Sequence, residues 1–407
     1  MKKHAIAVAV GALLAAPAAH AQVVFGNPTI GTVQLYGKLY PQIGSFKSSG
    51  ANTTGATATL VAGDTGENHD QRWSVNSANS YIGFRGERAL GNSGLKGIWQ
   101  VEQAIELDTG NEDAVWSNRN SFLGVTGGFG TVKLGHMDTI YKEYGDVFSM
   151  FGIKSGNFVS GSNVLSHIGL GTSSSARFHE RAPNSIQYET PEFGNITAGI
   201  QYSPDEERDT GVDQKVELWS MGVKWESKPF YVSLSHERHN DFFGGSNNSD
   251  GAFDNSGNPA ATSKDSATRL SAQWTIGNHK LTGDIARMEW TESGQAGAGL
   301  FDTYEKTTWA IGWEARWGGP WETAVQYIRA DEGDCTLSGG VACNTDGLDG
   351  SMLTGGVAYH FDRQTLFYLI AARLTNGESA RYDNWANGNA GRGADSTQFA
   401  LGMSYRF

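Results

Sequence analysis

Two histidines and a pair of carboxylates are the side chains of this sequence that could support hydrolytic chemistry. Residues His236 to His239 read His-Glu-Arg-His, which approaches the zinc-protease pattern His-Glu-x-x-His but brings the second histidine one residue too early. Glu206 and Glu207 lie in an acidic stretch, where solvation is expected rather than acid–base pairing. The sequence contains no phosphate-binding loop, nucleophile elbow or dinucleotide fingerprint. It therefore predicts no catalytic residue, no metal site and no cofactor.

The two cysteines are a second place where chemistry could occur. Cys335 and Cys343 lie in one stretch that is rich in Gly and Asp. In an oxidising compartment this spacing is compatible with a small loop disulfide. Two free thiols are the alternative, and a metal site is disfavoured because no histidine lies nearby. The choice depends on where the protein folds.

The N-terminus predicts export. Residues 1–3 are Met-Lys-Lys, Ala5 to Ala16 form a short apolar run, and Ala19 to Ala21 fit a small-x-small cleavage site. We therefore expect a signal peptide over residues 1–21, cleaved before Gln22, and one domain over residues 22–407. Loss of the two leader lysines changes the formal net charge from -12 to -14.

Composition restricts the fold class further. The chain has 407 residues, with 54 Gly, 9 Pro and 11% aromatic residues, which suits strands and tight turns better than helices. Outside the leader, no apolar run approaches the roughly 18 to 20 residues that span a bilayer as a helix. Basic residues form no long block, so nucleic acid is not an expected partner.

Alternation with period two runs along the whole chain after the leader. In Val33 to Tyr40 the odd positions are apolar or glycine, while the even positions are polar or amphipathic. In Leu95 to Glu102 the odd positions are again apolar or glycine, and the even face carries Lys96, Gln100 and Glu102. We count about sixteen such segments, consistent with the even strand numbers of bacterial outer-membrane barrels. Outward, lipid-facing positions are then predicted to include Leu35, Phe84, Trp99, Leu401 and Tyr405.

The connections between these segments alternate in length. Short turns with Gly, Asn and Pro alternate with long polar stretches, the third of which covers about residues 137–177. This predicts an all-β fold: a sixteen-stranded antiparallel transmembrane β-barrel with short periplasmic turns and long outer loops. A soluble sandwich or propeller is the alternative, but the long loops and the lack of internal blade repeats disfavour it. A barrel of this size leaves its lumen open to water.

The C-terminal strand carries a distinct signature. Large apolar or aromatic residues occupy every second position up to the chain end, and small or polar residues lie between them. This arrangement resembles the terminal signature of outer-membrane barrels, whose members here are Phe399, Leu401, Met403, Tyr405 and Phe407.

Several short stretches together resemble one protein family. They include Leu35-Tyr36-Gly37, Ile82 to Gly86, Arg119 to Val125, Gly128 to Gly135 and Pro191 to Gly194. In order and spacing the chain resembles the trimeric general porins of Gram-negative bacteria of the beta-proteobacterial type. The resemblance implies a homotrimer in the outer membrane, surrounded by lipid, that forms a water-filled channel for passive diffusion of ions and small hydrophilic solutes.

The resemblance also implies that the third long loop folds into the lumen and faces basic side chains on the wall. Alternation alone points Lys38, Arg85 and Lys96 inward, whereas the inward placement of Arg119 rests on the resemblance and needs a bulge or turn. Tyr81 departs from the family pattern, which usually has arginine there. The predicted constriction residues are Lys38, Tyr81, Arg85, Lys96, Arg119 and Arg181 on the wall, and Asp138, Glu143 and Asp146 on the loop.

Two other functions stay open at the level of sequence. One is a substrate-selective porin for an organic acid or a sugar, and the more distant one is an outer-membrane barrel enzyme. For a general pore, the mature charge of -14 and Tyr81 favour weak cation selectivity or near-neutral selectivity. The basic wall side chains oppose this, because charge at a constriction acts most strongly on the permeating ion.

Overall fold

The computed structural model describes residues 23–27, 31–52, 58–60, 68–110, 116–154, 157–169, 177–204, 215–241, 261–294, 297–383 and 391–407. The expected signal peptide, residues 1–21, lies outside the described residues. No helix in this described part is long and apolar enough to cross a membrane.

Strand segments make up most of the described chain. The first ten are Val23–Asn27 (β1), Gly31–Leu39 (β2), Pro41–Ser49 (β3), His69–Ser77 (β4), Tyr81–Ala89 (β5), Lys96–Ala104 (β6), Ser121–Gly127 (β7), Gly130–Asp138 (β8), Arg181–Glu189 (β9) and Ile196–Ser203 (β10). The next ten are Glu217–Ser227 (β11), Phe230–Asn240 (β12), Thr262–Ile276 (β13), His279–Ser293 (β14), Phe301–Arg316 (β15), Trp321–Ala330 (β16), Asp334–Leu337 (β17), Gly350–His360 (β18), Thr365–Asn376 (β19) and Asp395–Arg406 (β20). The described helices are Ile140–Gly145 (α1) and Ser162–Ser166 (α2), with single 3-10 turns at Asn157–Val159 and Ser338–Gly340.

These segments form a closed antiparallel barrel of sixteen strands, which confirms the predicted fold class. Segments β2 and β3 act as one long strand interrupted at Tyr40, and β4 and β5 act as another, interrupted at 78–80. The short segments β1 and β17 pair at the edges of the wall and add no strand to the count. Closure brings β20 beside β3 and the end of β2, so every strand of the wall has two neighbours.

A glycine allows the chain ends to close the barrel. The N–H of Gly37 donates to the carbonyl oxygen of Phe407 at 3.0 Å, and the N–H of Phe407 donates back to Gly37 at 3.1 Å. A Cβ at Gly37 would lie 2.6 Å from the Phe407 ring and 2.8 Å from the carbonyl oxygen of Tyr81. Only glycine therefore fits beneath the terminal aromatic ring at this point.

The wall alternates in side-chain direction as a membrane barrel requires. On β20, Phe399, Leu401 and Tyr405 are exposed on the outer surface, whereas Ala400 and Ser404 between them are buried. Predicted outward positions on the first strands follow the same rule, since Leu35, Phe84 and Val101 share one row of Cα partners and Trp99 shares another with Leu123. Aromatic contacts such as Trp321–Tyr359, Tyr359–Phe361 and Phe361–Phe367 mark the end of the barrel with the short turns.

The two ends of the barrel have connections of different length. The short ones cover 90–95, 128–129, 190–195, 228–229, 277–278, 317–320 and 361–364, all at one end. The other end carries 50–68, 105–120, 139–180, 204–216, 241–261, 294–300, 331–349 and 377–394. In outer-membrane barrels the short turns face the periplasm. In the connection 331–349, Cys335 and Cys343 form a disulfide with a Cα–Cα distance of 5.7 Å.

Candidate functional site

The third long connection, residues 139–180, folds into the barrel with its described parts, residues 139–154, 157–169 and 177–180. It begins with α1, where the Thr139 side chain accepts a hydrogen bond from the backbone N–H of Lys142 at 3.3 Å and caps the helix. The buried side chains of Ile140 and Tyr144 then lie against glycines on the inner wall. A Cβ at Gly199 would meet Ile140 at 2.6 Å, so the small residue on β10 makes room for the helix.

Aromatic side chains dock the following part of this loop on glycines of the opposite wall. A Cβ added at Gly312 would lie 3.0 Å from the ring of Phe148, and one at Gly356 would lie 3.0 Å from the ring of Phe151. A Cβ added at Gly44 would lie 2.9 Å from the ring of Phe158. The wall around them presents small or aliphatic side chains such as Ala310, Ala324, Ile328, Met352 and Ile370. The loop thus lies along the inner face of β15 to β20 and fills that side of the lumen.

Polar contacts fix the loop backbone to the same wall. Arg406 donates to the carbonyl oxygen of Gly152 at 2.8 Å, and Gln326 donates to that of Val159 at 2.9 Å. The Thr308 hydroxyl donates to the carbonyl oxygen of Leu165 at 2.9 Å. Carbonyl groups of an irregular segment need such partners when they are buried. The loop is therefore held by both shape and hydrogen bonds.

An ion pair lies buried beneath the start of the loop. Arg269 on β13 and Asp284 on β14 are 2.7 Å apart, and both side chains are almost inaccessible to solvent. The guanidinium lies over the ring of Tyr141 at 5.6 Å, and its end fills the space beside Gly145. The pair thus supports α1 from the wall behind it.

The wall that the loop leaves uncovered carries most of the predicted constriction residues. Lys38 and Tyr81 are Cα partners on β2 and β5 and point inward. Arg119 precedes β7, and its guanidinium binds Glu102 and lies 4.8 Å from the ring of Tyr81. A turn before the strand, rather than the strand itself, therefore directs Arg119 inward. For this placement the sequence required either a bulge or a turn.

A second group surrounds Asp138, which is the last residue of β8 and not part of the loop as predicted. Its carboxylate pairs with Lys142 at 2.9 Å and with Arg181 at 3.0 Å, and accepts a hydrogen bond from the Asn120 side chain at 2.9 Å. Asp138 and Arg181 are Cα partners on β8 and β9. The structure thus joins two predicted residues in one ion-pair network at the foot of the loop.

The other two acidic residues predicted on the loop, Glu143 and Asp146, differ in their surroundings. Glu143 on α1 is exposed, whereas Asp146 lies 3.8 Å from both His179 and Lys154. Burial alone would raise the pKa of Asp146, but the neighbouring His179 and the charge of Lys154 hold it below its ordinary value. Burial also lowers the pKa of His179, against the opposing effect of Asp146.

Two predicted basic residues lie at different depths. Arg85 donates to the Gln34 side chain at 2.7 Å and stacks over Tyr36 at 4.8 Å, within reach of the uncovered wall. Lys96 is the first residue of β6 and pairs with Glu87 at 2.8 Å, with half of each side chain exposed. The structure places Lys96 beside a short turn, apart from the other predicted residues.

Several residues that the sequence pattern did not single out share this wall. Glu102 accepts hydrogen bonds from Tyr36, at 3.0 Å, and from Arg119, and so links two strands. Arg72 points inward from β4, with its guanidinium 5.0 Å from the Phe46 ring. Lys133 on β8 donates to Gln187 at 3.0 Å. Alternation was the available signal, since Tyr36 and Glu102 occupy polar positions of the segments that predicted Lys38 and Lys96.

The two histidines of the His-Glu-Arg-His motif point in opposite directions from the strand on which they lie. On β12, Glu237 and His239 are buried on the inner side, 3.1 Å apart, whereas His236 has the parity of the outward Leu234. The two histidines therefore face opposite sides of the sheet. Within the described residues, no group of three or more His, Cys, Asp or Glu side chains could hold a metal ion.

A closed sixteen-stranded barrel with a loop folded into its lumen defines the class of outer-membrane channel proteins. A family model described as Gram-negative porin matches residues 5–379. The chain belongs to this family, and it is accordingly a protein of the outer membrane.

Curated relatives are similar over part of their length. The major outer membrane protein P.IB of Neisseria meningitidis serogroup B is 30% identical over 241 residues, which are 59% of this chain and 60% of that protein. P.IB of Neisseria gonorrhoeae is 28% identical over 235 residues, 58% of this chain and 56% of that protein. The matched region thus spans about 60% of the length of these relatives.

Solved structures share the fold. An anion-selective porin from Comamonas acidovorans superposes with a TM-score of 0.70 at 21% identity and covers 92% of this chain and 99% of that one. The trimer form of OmpT from Vibrio cholerae gives a TM-score of 0.61 at 19% identity and covers 93% and 99%. At these identities the likeness concerns the fold.

Proposed function

We propose that the protein is a general porin, a water-filled channel through which ions and small hydrophilic solutes diffuse passively. The observation that carries this proposal is the asymmetry of the lumen. The loop 139–180 covers the inner face of β15 to β20, while charged side chains such as Lys38, Arg85 and Arg119 line the uncovered wall. A polar path beside a narrowing loop is what a diffusion pore for hydrophilic solutes requires.

The proposed activity is transport without catalysis or a cofactor. The only motif that approached a metalloenzyme has its histidines on opposite faces of β12. The membership in the porin family supports a channel as well. The residues that matter for this function are therefore those that set the size and charge of the constriction. We propose that these are Lys38, Tyr81, Arg85, Arg119, Asp138, Glu143, Asp146 and Arg181.

Single-channel recording in planar bilayers tests this function directly. Each insertion of purified protein should produce a current step of the same conductance. The conductance of these steps should rise in proportion to the salt concentration. Liposome swelling with sugars of graded size should then show a cut-off by size. Saturation with one solute would instead indicate the substrate-selective porin, and the absence of any step would contradict the channel itself.

We also propose that three copies form the functional unit. Closed cyclic symmetry is common among oligomers, and the number three is supported by a fold neighbour described in a trimer form. Native electrophoresis and cross-linking in mild detergent should give a trimer that dissociates on heating. A species that stays monomeric under both conditions would contradict the trimer and leave the channel proposal in place.

A further inference from the structure

One buried apolar core joins three of the long connections at the outer end of the barrel. Leu60 from the first connection and Ile168 and Phe178 from the third are almost inaccessible to solvent, and Leu348 belongs to the same cluster. Leu348 lies in the connection 331–349, which we call the strap. Because the side chains of a close-packed core transmit displacement to their neighbours, the strap and the third connection are mechanically coupled.

The disulfide fixes the strap to the barrel wall. Cys335 lies on β17 and is the Cα partner of Tyr304 on β15. Its bond to Cys343 therefore holds the returning half of the strap against a strand of the wall. Both cysteines are half-buried and pack against the apolar core, while Ala342 beside them is exposed. The disulfide is thus accessible to a small thiol.

The residue after Cys343 binds the first connection. The carbonyl oxygen of Asn344 accepts a hydrogen bond from the N–H of Thr59 at 2.7 Å, and the N–H of Asn344 donates to the Thr59 hydroxyl at 2.9 Å. This pair of bonds holds Leu60, the next residue of the first connection, in the core that includes Ile168. One route from the disulfide to the third connection therefore runs through Thr59 and Leu60.

A second route runs through the last long connection. The N–H of Ser379 donates to the carbonyl oxygen of Gly347 at 2.9 Å, and its hydroxyl donates to that of Asp346 at 2.8 Å. Two residues further along the chain, the N–H of Arg381 donates to the carbonyl oxygen of Gly169 at 2.8 Å. The strap thus holds the segment that binds the third connection.

We propose that the Cys335–Cys343 disulfide positions the third connection inside the lumen through these two routes. With the disulfide intact, the first and last connections keep the arms 162–169 and 177–180 of the third connection in place. Reduction by a thiol breaks the S–S bond, gives each cysteine one hydrogen and joins two sulfur atoms of the reductant in a new disulfide. The arms then lose part of their support, and the third connection opens locally more often.

Hydrogen–deuterium exchange of the detergent-purified protein, in the assembly that it forms, tests this role without any measurement of conduction. The original protein is compared before and after treatment with dithiothreitol and again after reoxidation. The variants Cys335→Ser/Cys343→Ser and Leu60→Ala are measured in the same way. Heat-dependent migration on gels checks that each variant is folded, and the reduced original protein tests the proposal independently of the cysteine variant.

Thr336→Val supplies a matched control in the same hairpin. The Thr336 hydroxyl contacts those of Thr303 at 2.7 Å and the carboxylate of Asp302 at 3.1 Å, and the substitution removes both contacts. Thr336 is exposed, whereas its neighbours Cys335 and Leu337 pack on the apolar core. The control therefore perturbs the hairpin beside the disulfide without touching either route.

Loss of the disulfide, by reduction or by substitution, should speed exchange in the arms 162–169 and 177–180 by about tenfold, and reoxidation should restore the original rate. Leu60→Ala should speed exchange in the arms while the disulfide stays intact. The proposal is overturned if exchange rises only within residues 334–345, if Leu60→Ala leaves the arms unchanged, or if Thr336→Val affects the arms as strongly as loss of the disulfide does.

A second measurement rests on the proposed channel function. Current noise in single-channel recording should rise when the disulfide is reduced and fall when it is reoxidised. A protein that forms no channel would give no current but would still show the change in exchange, so failure of the pore and failure of the positioning role are distinguishable. Noise of a conducting channel that does not follow the state of the disulfide would overturn its effect on the lumen.

Discussion

Ile370 and Leu374 point into the barrel from β19, whereas Lys38 and Arg85 do so from β2 and β5. The first two side chains are covered by the loop 139–180 or by outer-loop residues. Arg85 is exposed on the side that the loop leaves open, and Lys38, which is itself buried, lies beside Tyr40 at the border of the two regions. One barrel thus has two kinds of inner wall, which we call the covered wall (β10 to β20, with β3) and the open wall (β2 and β4 to β9). The constriction lies where the loop faces the open wall.

The difference shows what each inner surface has to satisfy. The covered wall must bury the loop, so it provides glycines opposite aromatic rings and donors for loop carbonyl groups. The open wall stays in contact with water, so it can hold charges if they are paired or hydrogen-bonded. Loop docking and ion passage therefore depend on different residues and can be perturbed separately.

The largest expected effect comes from undocking the loop. We predict that the double variant Phe151→Ala/Phe158→Ala raises single-channel conductance and current noise, because each truncation of a buried aromatic costs about 3 to 5 kcal/mol of packing. Phe193→Ala is the control, since this ring is 87% exposed in a short turn. Unchanged conductance in the double variant would mean that the loop does not narrow the pore.

The second prediction concerns the buried ion pair of the covered side. Arg269→Met leaves Asp284 buried without its partner, which should cost about 3 to 5 kcal/mol of stability. The double variant Arg269→Met/Asp284→Leu should recover most of this loss, because no buried charge is left. Unfolding in urea, with heat-dependent migration on gels as the readout, measures the stability of the single and the double variant. Equal destabilisation by the single and double variants would contradict this interpretation of the pair.

Sequence alternation predicted the sixteen-stranded barrel because the side-chain period of a strand is fixed by its backbone geometry. It also predicted the direction of Lys38 and Arg85. It did not predict depth, since parity is the same for the first and the middle residue of a strand. Lys96 therefore shares parity with the others but lies beside a short turn. The inward direction of Arg119 could not be predicted from alternation, because it depends on the turn before β7.

A further sequence signal would have located the covered wall. In β19, Leu366, Tyr368 and Ile370 point inward while Phe367 and Leu369 point outward, so both faces of the strand are apolar. A strand that is apolar on both faces is covered on both faces. Lipid covers the outside, and only an inserted segment could cover the inside. The contacts of that segment could not be derived, because irregular loops have no period.

The third prediction addresses ion selectivity at the open wall. Tyr81 lies between Tyr36, 6.2 Å away, and Arg119, 4.8 Å away, where a new guanidinium would compete for Glu102. We predict that Tyr81→Arg shifts the reversal potential under a KCl gradient toward anions. Tyr81→Phe is the control, and it should leave the value unchanged. If Tyr81→Arg had no effect, the position would not contribute to the constriction.

For the original protein, the sequence predicts an ion selectivity that is near-neutral or weakly in favour of cations. The ion pairs of Arg119 with Glu102 and of Arg181 with Asp138 support weak selectivity, because paired charges present little net field to a passing ion. Arg72 and Lys38 lie on the same wall without an acidic partner among the described residues, and their positive charge favours anions. A strongly anion-selective reversal potential would show that these unbalanced charges dominate.

The fourth prediction is a smaller effect of pH on the covered side. The pKa values of Asp146 and His179 both lie below their ordinary values when the loop is docked. The undocked loop therefore binds protons more readily, first on the imidazole below about pH 6.5 and then on the carboxyl below about pH 4. Docking is fully stabilised by these groups at neutral pH and weakens as the pH falls.

Current noise should accordingly rise between pH 7 and pH 5 in the original protein. His179→Gln should reduce this change, because the imidazole no longer takes up a proton on release. His236→Gln, on the outer side of β12, is the control and should behave as the original protein does. Noise that is independent of pH, or equally changed by both variants, would argue against a role of His179 in docking.

The smallest effect is expected at Lys96, and it tests depth on the open wall. Lys96 and Glu87 are half exposed, and exposed ion pairs of this kind contribute about 0 to 1 kcal/mol. Lys96→Gln should therefore leave stability and reversal potential almost unchanged. Lys38→Gln removes a charge of the same type and parity, but from the region of Tyr81, and should shift the reversal potential toward cations. The two variants differ mainly in depth, since both replace an inward lysine by the same amide. Equal shifts would mean that selectivity is set along the whole open wall, whereas a shift from Lys38 alone would restrict it to the level at which the loop faces β2 and β5.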